Sequence, residues 1–276
     1  MKKILFLILF LLILGGGFLF FQNKEFIFDL TGSKEYSAIQ ESPETILKAK
    51  LVDSPSSEKE IEQSPEKIKE KEKVLPPKFK LDVPFTSQAP PNPTPNWDDD
   101  HNEACEEAAI IILHYFLTGK ELTPEIADGQ ILAMLDFQEK NYGERNKDLE
   151  AGETAKLIKD FYNYEDVEVK YDVSIEDIKK EINTGRAVIL PTAGRLLFGP
   201  LKDGKNPYYR EPGPLYHMLV AIGWDDEKGE IIVNDPGTKR GKDFSFKYEV
   251  LDNALHEWNG GEVLEGRKAM IVIVNE

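Results

Sequence analysis

The chain carries one cysteine, Cys105, so no internal disulfide can brace it and its stability must come from a packed apolar core. That cysteine opens the most apolar helix-like run outside the N-terminus, Cys105 to Leu117 (Cys-Glu-Glu-Ala-Ala-Ile-Ile-Ile-Leu-His-Tyr-Phe-Leu), which ends at Gly119. The run predicts a buried helix with a thiol in its first turn, at the positive end of the helix dipole, where thiolate is favoured over thiol. Free cysteine is also one of the most buried residue types, so a packing role accounts for the same position. The rest of the chain has to choose between packing and nucleophile.

The apolar residues are distributed unevenly. Ile4 to Phe21 is almost unbroken and follows Lys2 and Lys3. About 20 apolar residues span a bilayer, with roughly 17 as a lower limit. Residues 1–22 therefore read as a transmembrane anchor or an uncleaved signal, since no small-residue cleavage site of the Ala-x-Ala kind follows. The two lysines place the N-terminus in the cytoplasm and the remainder outside, on a single-pass membrane protein. Residues 23–77 read as a disordered, charged tether, dense in Ser, Pro, Glu and Lys from Ser54 to Lys73. Residues 78–276 remain for the folded domain, enough for one core.

Formal charge is −16, from 34 basic and 50 acidic residues. This excludes nucleic acid as a partner, because phosphate binding needs a basic surface. It also excludes close docking of the domain on an anionic membrane face. Asp98, Asp100 and Asn102 match the first three ligand positions of a calcium loop, but Glu103 stands where glycine is needed and Ala109 where glutamate is needed. One cysteine and four scattered histidines form no zinc pairs. No metal or cofactor is expected, and the domain is expected to be monomeric.

Within the domain, Leu81 to Phe85 alternates as a short extended segment. Thr123 followed by Pro124 starts a helix to about Lys140. Gly152 to Tyr162 is helical, Val167 to Tyr171 a strand, and Ser174 caps a helix to Ile182. Ala187 to Leu190, His217 to Trp224, Glu230 to Asp235 and Ala269 to Val274 are strands, the middle two joined by a turn at 225–229. Helices first and an antiparallel sheet last make an α+β pattern.

A cysteine nucleophile needs an imidazole, and the imidazole needs an acceptor that orients it. His114 lies two and a half turns after Cys105 on a roughly opposite face and reads as packing. His101 sits in an acidic loop with no obvious orienter, and His256 lies in an expected helical segment, 253–258. His217 begins a strand, and pairing across the 225–229 turn sets it roughly opposite Asp235 or a few residues beyond. A salt bridge at a strand end accounts for that pair equally well. Gln88 offers an amide to a developing oxyanion beside the Cys105 N–H, although a loop glutamine is usually only solvated.

Taken together, Val83-Pro84-Phe85-Thr86-Ser87-Gln88, Cys105-Glu106-Glu107-Ala108, the run Tyr216 to Trp224 and Val233-Asn234-Asp235-Pro236 resemble the papain-like cysteine peptidases of the bacteriocin-leader-processing type, especially their stand-alone relatives. The likeness runs from about Leu81 to the C-terminus. It implies a papain-like α+β fold with the Cys helix packed on the C-terminal sheet. It also implies Cys105 as nucleophile, His217 as its base, Asp235 as the histidine's orienter and Gln88 as oxyanion donor. Glu106 and Glu107 stand where many members have Gly-Pro. Two carboxylates in the first turn suit the dipole but compete with a thiolate for it and raise its pKa.

The resulting expectation is a membrane-tethered, extracytoplasmic cysteine peptidase acting on peptide or protein substrates, with the 195–214 loop covering its cleft. A cell-wall peptide amidase or transpeptidase uses the same chemistry, and a non-catalytic tethered binding module keeps the fold without turnover.

Overall fold

The computed structural model describes residues 75–91, 93–198 and 213–274. The expected anchor at 1–22, nearly all of the tether and most of the 195–214 loop lie outside the described residues. Among the described residues no helix is long and apolar enough to cross a membrane.

The core is organised on an antiparallel sheet with seven described strands: β1 (Lys78–Lys80), β2 (Val167–Tyr171), β3 (Val188–Thr192), β4 (His217–Asp225), β5 (Glu230–Asn234), β6 (Phe244–Lys247) and β7 (Ala269–Ile273). Their order is β2-β7-β3-β4-β5-β6. β3 pairs with the first half of β4, and β1 pairs along Gly223 to Asp225. The helices are α1 (Asp99–Asn102), α2 (Cys105–Thr118), α3 (Pro124–Tyr142), α4 (Ala151–Tyr162), α5 (Ile175–Asn183), α6 (Gly194–Phe198) and α7 (Tyr248–Ala254).

The period-2 alternation of the strands sorts the core into two layers. Ile189, Met218, Val220, Ile222 and Ile271 pack with α2, α3 and α4 on one face. Val188, Leu190, Leu219, Ala221 and Trp224 pack with Ile178 and Ile182 of α5 and Leu251 of α7 on the other. All nine residues of β4 are buried. That explains why the strand reads as a continuous apolar run rather than an alternating one. Residues Cys105 to Leu113 of α2 are likewise all buried, so the helix is enclosed on every side along its first half. Each isoleucine withdrawn there contributes on the order of 1.5–3 kcal/mol.

Helix boundaries follow local chemistry. The Thr123 hydroxyl accepts from Ile126 N–H at the start of α3, with Pro124 at its first position. Ser174 and Asp177 form a capping box on α5. Gly119, in the left-handed region at φ 63°, donates its N–H to Tyr115 O and closes α2.

The strands expected at 167–171 and 187–190 are present as β2 and β3. Two expectations need correction. The first strand lies at 78–80 rather than 81–85. Leu81 N–H still reaches Ile222 O, but Val83 and Pro84 give their carbonyls to the Asn234 side-chain amide, so a side chain replaces the ladder. Proline at 84 has no N–H to contribute. Finally, 253–258 is not a helix: α7 stops at Ala254, Leu255 bridges to Thr192, and the His256 ring Nδ1 lies 2.8 Å from Gly266 O.

Trp224 fastens β1 to this frame. It is fully buried, its indole N–H donates to Pro76 O at 3.0 Å, and its ring packs on Phe79 with centroids 5.4 Å apart. Replacing it with alanine is expected to cost about 3–5 kcal/mol. Urea unfolding followed by circular dichroism measures this, and a midpoint within error of the wild type contradicts the assignment.

Candidate active site

His217 and Asp235 are brought together directly. β4 and β5 pair Val220 with Asn234, so the same register sets Asp235 beside Leu219, two residues from His217 and on the same face. At that diagonal the His217 Nε2 lies 2.7 Å from Asp235 Oδ1, with both side chains almost fully buried. A carboxylate can only accept, so Nε2 is the donor in this bond. Gly237 N–H donates to the same Oδ1 at 2.9 Å and holds the carboxylate in place.

The backbone around the pair is unusually close. Asp235 N–H donates to Gly241 O, and a Cβ at Gly241 would stand 1.8 Å from Asp235 O. A Cβ at Gly194 would meet Pro214 O at 2.6 Å and His217 Cβ at 3.2 Å. Neither glycine signalled itself in the sequence, because the need for it arises only when distant segments meet.

Cys105 is the first residue of α2, whose N-terminus lies against the start of β4. Its thiol is buried, and Met218 N–H faces the sulfur. The thiol donates its hydrogen bond to Glu106 Oε2 at 2.9 Å. Burial pushes the thiol pKa well above its usual value, the Glu106 carboxyl adds to this by charge and by hydrogen bond, and the Met218 N–H works against both. The expected conflict between thiolate and the adjacent carboxylates is therefore present.

The carboxyls themselves are buried. Glu106 Oε1 accepts Leu149 N–H at 3.0 Å, and Glu107 Oε1 accepts from Gln138 Nε2. Glu107 Oε2 is buried with no hydrogen-bond partner. Burial raises Glu106 well above the ordinary carboxylate range and raises Glu107 to about 7; Asp148, in the loop before α4, rises to about 6 for the same reason. The Tyr216 hydroxyl donates to Leu149 O, so the backbone of one residue is held on both sides, by Glu106 at its N–H and by Tyr216 at its carbonyl.

Gln88 sits where the loop places it but with its amide engaged. Nε2 donates to His101 O and to Asn102 O, each at 2.9 Å, while Oε1 is buried without a partner. Both amide protons therefore hold the segment that precedes Cys105, and the amide is not directed at the thiol. Its backbone N–H donates to Pro236 O, which ties this loop to the residue after Asp235.

The other histidines have structural partners. His101 does have orienters: Nδ1 lies 2.7 Å from Asp98 Oδ1 and Nε2 3.0 Å from Asp128 Oδ1, tying α1 to α3. Distance in sequence hid Asp128. His114 stacks on Tyr162 with centroids 3.8 Å apart, and burial lowers its pKa to about 4. Of the calcium-like triplet, Asp100 is clamped by the Arg145 guanidinium at 2.7 and 3.0 Å and by Asn146. That guanidinium lowers the Asp100 pKa to about 2.

A shallow cavity of about 210 Å³ adjoins this region, lined in part by Leu196, Leu215, Val263 and Leu264. Leu215 lies two residues before His217, so the cavity opens beside the strand that carries the imidazole.

The buried Glu107 carboxyl makes stability depend on pH. Its value rises from an ordinary 4.5 to about 7 in the fold. The folded state therefore favours the protonated form, so its contribution is intact below about pH 4.5 and is lost as pH rises towards 7. Glu107→Gln, which keeps an acceptor for Gln138, is expected to be more stable than wild type above pH 7 by on the order of 2–3 kcal/mol. The difference should shrink towards pH 4.5. Urea midpoints across that range test this, and parallel curves contradict it.

Comparison with known proteins places the domain. The profile of the Peptidase_C39 like family matches residues 80–260. Among solved structures the chain is similar to a protein described as a C39-like peptidase from Bacillus anthracis, at 17% identity and TM-score 0.47, over 72% of this chain and 98% of that one. It is also similar to xylellain, a cysteine protease from Xylella fastidiosa, at 14% identity and TM-score 0.38, over 74% of this chain and 88% of that one. Curated protein sequences give no match. The profile spans well over half of the 276 residues, and the chain belongs to the Peptidase_C39 like family of papain-like cysteine peptidases, with the α+β fold that the resemblance implied.

Proposed function

We propose that the domain hydrolyses peptide bonds with Cys105 as nucleophile, His217 as base and Asp235 as the orienting carboxylate. The observation that carries this reading is the buried 2.7 Å bond between His217 Nε2 and Asp235 Oδ1, which pairs the imidazole with a carboxylate beside the Cys105 helix. For reaction the thiol turns about χ1 from Glu106 towards His217, a rotation between staggered wells.

The proton of Sγ then passes to Nδ1, and the thiolate attacks the substrate carbonyl carbon. The Cys105 N–H, which has no acceptor within its own helix, faces the oxyanion. Gln88 joins it if one of its loop carbonyls is exchanged for the oxyanion. Collapse of the tetrahedral intermediate expels the amine, which takes the proton from the imidazolium, and leaves a thioester on Cys105. Water then loses a proton to Nδ1, attacks the thioester carbon, and releases the carboxylic acid and the thiol. The apolar cavity at Leu196, Leu215 and Leu264 suits an apolar substrate side chain.

A second reading, a binding module without turnover, is favoured by the engaged thiol and the engaged Gln88 amide. One experiment divides the readings: purified full-length protein is incubated with denatured protein and, separately, with peptidoglycan, and new amino termini are counted. Wild type is expected to cleave denatured protein. Cys105→Ala should abolish cleavage, and His217→Ala should reduce it about 10³-fold or more. Release from peptidoglycan alone identifies an amidase. No release from either substrate, with unchanged termini in wild type and variants, identifies the binding module.

We further propose that residues 1–22 tether the domain to the outer side of a membrane, on the strength of the Ile4 to Phe21 run and Lys2 and Lys3. Wild type is expected in the membrane fraction, with the domain digested by protease added to intact cells. Removal of residues 1–22 should move it to the soluble fraction. A soluble full-length chain contradicts the tether.

A further inference from the structure

The thiol faces a proton acceptor that the reaction above does not use. Glu106 is 1% exposed, its Oε1 is fixed by Leu149 N–H, and its Oε2 is thereby held on the sulfur at 2.9 Å. Its surroundings are mostly acidic: Glu107 on the same turn, Asp148 in the loop before α4, and the Tyr216 phenol ahead of His217. Glu103 faces Asp148 in turn, and the charge of Arg145 reaches the group through Glu107. Burial and the Glu107 charge both favour the protonated carboxyl.

We propose that Glu106 is a positioning residue that shares one proton with Cys105 and confines the reactive thiolate to the acid side of the glutamate's own ionisation. The proposal rests on the cysteine-peptidase reading. When Glu106 is protonated, its O–H donates to the sulfur. The thiol proton then passes to His217 Nδ1, giving a thiolate, an imidazolium and a neutral carboxyl. When Glu106 has lost its proton, the carboxylate accepts the S–H instead. A thiolate formed there would set two negative charges about 3 Å apart in a buried site, where such repulsion is weakly screened. Loss of one proton thus converts the thiol's donor into its competitor, and the site passes from reactive to resting as pH rises.

The test is the rate of Cys105 alkylation by iodoacetamide against pH in the full-length protein, which needs no substrate. Wild type is expected to show a maximum on the acid side and a fall as Glu106 ionises; a rate that climbs steadily to ordinary thiol ionisation overturns the proposal. Glu106→Gln keeps an acceptor for Leu149 N–H and presents a neutral donor to sulfur at every pH. It should remove the fall and react about tenfold faster or more on the alkaline side, the effect of a shift of about one pKa unit. A Glu106→Gln profile that overlies wild type, or runs below it throughout, overturns the proposal. His217→Ala separates the two ideas: slowing in both backgrounds supports the Cys–His reading whatever Glu106 does. No effect of His217→Ala in either background sinks that reading and the proposal with it.

Discussion

Strand β4 is the constraint on which the rest depends. It is bonded on one side by β3 and β1 and on the other by β5, and it is buried along its whole length. Such a strand has no freedom to slip, because a shift of one residue would exchange the two core layers. The fixed register delivers His217 to Asp235, and the start of the strand receives the N-terminus of α2 with Met218 N–H on the thiol. The Cys105 helix and the His217 strand are thus located by packing of apolar residues far larger in number than the polar groups they position.

Around the thiol, electrostatics work against packing. Burying carboxyls costs free energy unless they are neutral or paired, and here Glu106, held by Leu149 N–H and the thiol, and Glu107, held by Gln138, are relieved by protonation. Cys105 meets the same penalty, so this arrangement holds neutral thiol and not thiolate. Gln88 belongs to the same resting arrangement, with both amide protons on the carbonyls that lead into α2. The site is built with its parts in reach and its charges withheld.

How much of this was legible depended on range. Local signals were direct: Thr123-Pro124, Ser174 to Asp177 and Gly119 each mark an end that the structure confirms. The apolar runs at 105–117 and 217–224 marked buried elements, and the 225–229 turn was enough to pair His217 with Asp235. Long-range polar replacement was not legible. Asn234 takes the place of a ladder for Val83 and Pro84, Asp128 orients His101 from another helix, and Leu149 fixes Glu106 across 43 positions. β6 and α7 were missed because Phe244 to Ala254 carries no turn signal between strand and helix. The Glu106 effect on the thiol was foreseen as a field effect, but its direct hydrogen bond was not.

The central claim is that the thiol parked on Glu106 turns to His217 to react. A crystal structure of the protein with a peptide aldehyde tests it most directly, because the aldehyde carbon bonds only to an attacking sulfur. The account predicts a hemithioacetal on Cys105, its Sγ turned away from Glu106 and the His217 Nδ1 within about 4 Å of it. An unmodified thiol still bonded to Glu106 at saturating aldehyde would contradict it.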